Sequence, residues 1–196
     1  MQSWIGKLVL DNIVTVVQQV LVHRVKEQLH NMKYLFFTLL FILFQSVVWT
    51  QEIDPDYKKM IERKYDFPTV SQNQAEKKLH SKVIFLDARQ PEEYKVSHLP
   101  NAYLFQYKSP VWEVLDAIAK DREIIVYCSI GVRSQKMAKA IKEKGYTNVK
   151  NLYGGIFLWA DQYRYLVNEK NKSTQKVHGY NKLWGRWVKN ATPVYE

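Results

Sequence analysis

The residue in this sequence best placed to do chemistry is its only thiol, Cys128. It follows an apolar run, Ile124 to Tyr127, and opens the stretch Cys128-Ser129-Ile130-Gly131-Val132-Arg133-Ser134. A lone cysteine after a strand is ordinarily a small buried hydrophobe. Here the residues that follow supply a glycine, an arginine and the start of a helical pattern. Glycine lets the chain curl where other residues resist. The amides of a strand-to-helix loop and the positive end of the helix favour an anion. They therefore favour the thiolate, which is the nucleophilic form of cysteine. The pattern reads as a cradle for a sulfur nucleophile and for an anionic group bonded to it. Arg133 adds a cation beside it.

Other chemistries are poorly served. One cysteine has no partner for an intrachain disulfide. The five histidines, His23, His30, His80, His98 and His178, show no ligand spacing, so neither metal nor cofactor is expected. The chain of 196 residues carries a formal charge of +10, but its basic residues form no dense block. That distribution reads as a solvated basic surface, and no nucleic-acid partner is expected.

Elements must hold the thiol loop in place. Residues 71–80 suit a helix with Ser71 as N-cap. Residues 82–89, "KVIFLDAR", form an apolar strand ending in Asp87 and Arg89. Pro91 and two acids start a short helix at 90–94. Residues 97–105 read as a turn and a strand. Residues 110–120 form an amphipathic segment with Val111, Val114, Leu115 and Ile118 on one side. After the strand "EIIVYC", residues 133–145 form a helix that turns Met137, Ala138 and Ile141 inward and stops at Gly145. Residues 148–155 give another strand, closing on paired glycines, and "IFLWADQYRYLV" a last helix. Strands alternating with helices, and apolar on both faces, suit a parallel sheet covered by helices. In such a sheet ligands bind beyond the carboxyl ends of the strands, where Cys128 sits.

The stretch "CSIGVRS" resembles the active-site loop of the rhodanese family, commonly Cys-x-x-Gly-x-Arg-Ser/Thr. Residues 86–102, "LDARQPEEYKVSHLPNA", resemble its Asp-x-Arg…Glu-x-x-x-x-His-Ile-Pro-Gly-Ala segment. Residues 152–159, "LYGGIFLW", resemble its Leu-x-Gly-Gly-x-x-x-Trp segment. Ser97, Leu99 and Asn101 depart from the pattern in the turn after the first motif. The resemblance covers about 70–165 and implies a three-layer α/β fold, a parallel central sheet flanked by helices. It also implies transfer of sulfane sulfur from a small anionic donor such as thiosulfate to a thiol or cyanide acceptor. Cys128 would carry the sulfur as a persulfide. Ser129, Ile130, Gly131, Val132, Arg133 and Ser134 would surround it, with Arg133 steering the donor. Asp87, Arg89 and Glu93 are expected to form a supporting ion-pair lattice, and His98 a turn or packing residue. Four residues separate Cys128 from Arg133. The phosphatases that share this fold carry five, so phosphate-ester hydrolysis is not expected. The alternative is a module without catalysis that carries sulfur or binds a partner.

The flanks are of another kind. Residues 32–50 read as a secretory signal: Met32-Lys33, an apolar stretch from Tyr34 to Phe44, and cleavage after Thr50. That reading expects an exported, periplasmic protein; left uncleaved, residues 34–49 would anchor it to a membrane. Residues 1–31 are read as an over-extended start, with translation beginning at Met32; a genuine amphipathic leader is the alternative. Residues 51–69 are a linker leading into the domain at 70–165. Residues 166–196 form a basic and aromatic arm, with Tyr180, Trp184 and Trp187 among Lys182, Arg186 and Lys189. The arm is expected to wrap back and bury its tryptophans.

Overall fold

The apolar runs form a five-stranded sheet in the computed structural model, which describes residues 2–47, 52–162 and 164–195 and, in the first stretch, the side chains of 17–41. The chain divides into two compact units, Met1–Gln51 and Glu52–Glu196. The first holds one helix, α1 (Gln2–Val47), which runs unbroken through Met32, where the signal is expected to begin. Its apolar residues Leu35, Phe36, Phe37 and Phe41 are exposed. Among the described residues no helix is long and apolar enough to cross a membrane. The expected cleavage site, Val48 to Thr50, lies outside the described residues.

In the second unit the order is α2 (Pro55–Glu62), β1 (Thr69–Val70), α3 (Gln72–Glu76), β2 (Ile84–Asp87), α4 (Pro91–Val96), β3 (Tyr103–Leu104), β4 (Ile124–Tyr127), α5 (Val132–Glu143), β5 (Val149–Leu152) and α6 (Gly155–Asp161). The arm adds β6 (Lys176–His178), α7 (Lys182–Gly185) and β7 (Thr192–Val194). The sheet order is β1-β5-β4-β2-β3 with every pairing parallel. β4 is the middle strand and all four of its residues are buried. Side chains of a strand alternate between faces. Ile125 and Tyr127 therefore join one core with Phe85, Leu152, Phe157 and Trp159. Ile124, Val126 and Cys128 join the other with Leu86, Met137 and Ile141.

Helix ends follow local chemistry. Ser71 caps α3 in a reciprocal capping box with Gln74, satisfying two amide donors that a helix start leaves unpaired. Gly145 ends α5 at φ +90°, in the left-handed region where a β-carbon is disfavoured. Three expected elements differ. The helix over 71–80 ends at Glu76 and gives way to turns. The amphipathic segment at 110–120 forms only a single 3-10 turn, Trp112–Leu115, burying Leu115 and leaving Val111 and Val114 exposed. A 3-10 turn has three residues per turn, so the face expected from α-helical spacing does not assemble. The helix beginning at 155 stops at Asp161, and it is not the last, because α7 follows. Beyond it Val167 pairs with His98 as an isolated antiparallel bridge in place of the expected helix.

Candidate active site

Cys128 lies at the carboxyl end of the middle strand, 1% exposed, and the loop after it curls into α5 through Gly131. Gly131 has φ +91°, and a β-carbon there would stand 1.9 Å from the Tyr65 hydroxyl oxygen. Position 131 thus needs glycine both for its backbone and for its space. The Gly131 amide donates to Cys128 Sγ at 3.2 Å.

The carbonyls of the loop are bonded away from the sulfur. Cys128 O accepts from the Ile156 amide at 2.9 Å, and Ser129 O from the Phe157 amide at 3.0 Å. Ile130 O accepts from the Tyr65 hydroxyl at 2.6 Å. Gly131 O accepts from Asn151 Nδ2 at 3.0 Å. In a planar trans peptide the C=O and the following N–H point in opposite directions. Tying down these carbonyls therefore turns the amides of Ser129, Ile130, Gly131 and Val132 inward. α5 has no side-chain cap at its N-terminus, so its first-turn amides also remain for an anion.

Three supports hold this arrangement. α6 approaches through Gly155, where a β-carbon would lie 2.4 Å from Cys128 O. Tyr65 donates to Ile130 O and accepts from the Gly154 amide at 2.9 Å. Burial, foremost, pushes the Tyr65 hydroxyl far up, so it stays a donor. Asn151 on β5 holds Gly131 O while its Oδ1 accepts from Ser134 Oγ at 2.7 Å.

The expected site residues separate into two groups. Cys128, Ser129, Ile130, Val132 and Arg133 line a cavity of about 220 Å³ above the sulfur. Gly131 and Ser134 do not line it. Gly131 lies against Tyr65, and the Ser134 side chain is buried against Asn151.

Arg133 differs from a free steering charge. Its guanidinium makes a two-pronged pair with Glu93, both contacts 2.8 Å, and donates to Ser129 Oγ at 2.9 Å. Glu93 also accepts from Ser129 Oγ at 3.0 Å. Burial alone would raise the Glu93 carboxyl, but the Arg133 hydrogen bonds and charge outweigh it and bring the group down to about 2. Asp87 and Arg89 are fully buried and paired at 2.7 Å, and neither lines the cavity. His98 stacks on Tyr94 with ring centroids 3.7 Å apart and pairs its backbone with Val167. Burial holds His98 below its usual value, which suits a neutral packing group.

Sequence reasoning passed over Tyr65 and Asn151, whose side chains bind the loop's carbonyls, and Lys64, all three of them outside the loop in sequence. Lys64 lines the cavity from the turn after α2, its carbonyl held by Gln135 Nε2 at 2.5 Å. The remaining wall is Tyr180 and Trp184 of the arm. Their aromatic–basic interleaving was visible as a pattern, but nothing in it pointed to the sulfur.

Residues 71–162 match the rhodanese-like domain family. "Adenylyltransferase and sulfurtransferase UBA4" of Candida albicans is 38% identical over 104 residues, covering 49% of this chain and 22% of that protein. A sulfurtransferase of Allochromatium vinosum is 35% identical over 79 residues, covering 40% of this chain and 72% of that protein. A solved rhodanese-related protein from Thermoplasma volcanium superimposes with a TM-score of 0.47 at 20% identity, covering 53% of this chain and 100% of that one. The chain thus spans about a fifth of the length of UBA4 and most of the Allochromatium protein. With that coverage, and with the family's motif residues gathered around one thiol, this chain belongs to the rhodanese-like domain family.

Proposed function

We propose that the domain is a sulfurtransferase in which Cys128 carries sulfane sulfur as a persulfide. The observation that carries this reading is the loop whose carbonyls are bonded away from the sulfur and whose Gly131 amide donates to it. Amides fixed in advance around a point stabilise charge that develops there without reorganising. In the first half-reaction the Cys128 thiolate attacks the outer sulfur of thiosulfate. A new S–S bond forms, the donor's S–S bond breaks, and sulfite leaves with the electron pair. The persulfide then carries its negative charge on the terminal sulfur, within the amide cradle. In the second half-reaction a thiolate, or cyanide, attacks that terminal sulfur. Cys128 leaves as thiolate, and a persulfide or thiocyanate departs.

Glu93 orients Arg133 and Ser129 at the rim of the cavity, and His98 packs on Tyr94. The test is a mass spectrum after thiosulfate treatment. The peptide holding Cys128 should gain about 32 Da, one sulfur, and lose it on adding a thiol. The Cys128→Ser protein should stay folded and unmodified. A wild-type protein that gains no sulfur from any sulfane donor would leave a partner-binding module as the better account.

For its location we propose export directed by residues 32–50, supported by the short apolar stretch behind Met32-Lys33. The mature protein should then start near Gln51 in an exported fraction. Recovery of only the full-length chain would overturn this.

A further inference from the structure

One peptide of the thiol loop is held differently from the rest. The Cys128 and Ser129 carbonyls accept from the backbone amides of Ile156 and Phe157, and the Gly131 carbonyl accepts from the Gln135 amide at 3.1 Å as well as from Asn151. The Ile130 carbonyl has the Tyr65 hydroxyl as its one donor among the described residues, at 2.6 Å. It belongs to the same peptide as the Gly131 amide, which donates to Cys128 Sγ at 3.2 Å. Tyr65 and the sulfur therefore sit at opposite ends of one planar unit.

That unit is also the one most able to turn over. A peptide flip reverses C=O and N–H by changing ψ of one residue and φ of the next. Here the next residue is Gly131, at φ +91°. Glycine takes positive and negative φ about equally readily, so its own backbone does not choose between the two orientations. In one, the amide proton faces the sulfur. In the other, the carbonyl oxygen faces it, and its partial negative charge repels a thiolate or a persulfide anion. A donor on the far side settles the choice, because it reaches the oxygen in the first orientation only.

Tyr65 is placed for that task by contacts of its own. Gln135 of α5 brackets it: Gln135 Nε2 donates to the Lys64 carbonyl at 2.5 Å, and the Asp66 amide donates to Gln135 Oε1 at 3.2 Å. The backbone on both sides of Tyr65 is thus tied to the helix that the loop enters. The Gly154 amide donates to the Tyr65 oxygen at 2.9 Å, which leaves the hydroxyl proton for Ile130. Hydrogen bonds in series, from Gly154 through Tyr65 and the Ile130–Gly131 peptide to Sγ, polarise one another.

Tyr65 lies outside the family-matched segment, 71–162. We propose that Tyr65 is a positioning residue for the sulfur nucleophile: its hydroxyl locks the Ile130–Gly131 peptide with the amide toward Cys128. The part it plays in transfer rests on the sulfurtransferase reading, but the lock itself is tested on the thiol alone.

Cys128 is the only thiol in the chain, so alkylation of the full-length protein reports on that sulfur. The first measurement is the rate at which the thiolate displaces iodide from iodoacetamide, an uncharged reagent, at neutral pH. Tyr65→Phe keeps the ring that packs edge-on against Tyr153 and removes only the hydroxyl. It should slow alkylation at least about tenfold, because a misplaced donor no longer favours the anion. Tyr57→Phe is the control. The Tyr57 hydroxyl donates to the Gly154 carbonyl at 2.7 Å, so its loss also removes a buried hydrogen bond, but from outside the loop. It should lower the melting temperature and leave the alkylation rate unchanged. The second measurement is the Gly131 amide proton by NMR. In Tyr65→Phe it should move upfield and exchange faster with solvent, and in Tyr57→Phe it should stay. Equal alkylation of wild type and Tyr65→Phe, a loss that Tyr57→Phe reproduces, or an unmoved Gly131 amide would overturn the proposal. If both measurements come out as expected and the wild-type protein takes sulfur from no sulfane donor, the lock stands and the sulfurtransferase reading falls.

Discussion

Glu93 is 1% exposed, yet its carboxyl is held down at about 2. Burial opposes the charge, which persists because Arg133 contributes two hydrogen bonds and its charge, Arg89 a further charge and the Gln90 amide another hydrogen bond. The sign of the pH effect follows. A folded-state value below the usual 4.5 gives stability that is present in full above 4.5 and is lost as pH falls toward about 2. The stake is roughly 3 kcal/mol at neutral pH. Glu93→Gln should flatten the acid limb of stability across that window, measured by urea unfolding at stepped pH; an unchanged limb would show that other carboxylates set it. Arg133→Ala strands a buried carboxylate and should destabilise by about 3 kcal/mol. Adding Glu93→Gln to it should recover part of that loss, because the pair is coupled. Were Arg133 only a surface steering charge, the double change would recover nothing.

At the scale of elements, the loop's shape is set by α6 and by the turn after α2 as much as by its own residues. Gly155 is the closest point of approach, with φ +58° and a would-be β-carbon 2.4 Å from Cys128 O and 2.6 Å from Ser129 O. Both contacts are backbone and neither can move aside alone. Gly155→Ala should therefore destabilise by about 2 kcal/mol or more and lower sulfur transfer, since it pushes on the carbonyls that orient the amides. A fully active, fully stable Gly155→Ala protein would mean that α6 does not shape the cradle. A glycine inserted after Gly131 tests the same idea from inside the loop. It misplaces converging donors, each worth about 10²-fold, so persulfide formation should fall by that order while the fold is kept.

For the Glu52–Glu196 unit as a whole, the arm is part of the core as well as a wall of the site. Val177 and Val188 are buried, and Trp187 packs on Tyr57 with ring centroids 5.4 Å apart. Lys189 reaches Asp54 in an ion pair, and the Lys189 and Asn190 amides bind Asp161 at 2.6 and 2.7 Å. Ending the chain after Gln175 should expose Tyr57 and its neighbours. Stability should fall by several kcal/mol, at about 1.5–3 kcal/mol for each large apolar side chain left unburied. Thermal unfolding together with dye binding to exposed apolar surface reads this out. An unchanged melting temperature would make the arm an accessory.

The sequence alone determined the parts of this protein that depend on local order. Cys128, Gly131 and Arg133 lie within six residues, and Ser71, Pro91 and Gly145 mark helix ends through chemistry that acts over one turn. The β4 run is apolar at four successive positions because its residues are covered on both faces, so the parallel sheet was legible too. What tertiary structure decided is which distant groups meet. Tyr65 reaches Ile130 across 65 positions, and Arg133 meets Glu93 across 40. No local period encodes such pairings, because each depends on how β4, α4, α5 and the turn after α2 converge. The pairing with Glu93 turned Arg133 from a free charge into a compensated one. In the same way the arm's aromatics, a bare composition in the chain, became a wall of the sulfur site only when the chain after β6 folded back on the sheet.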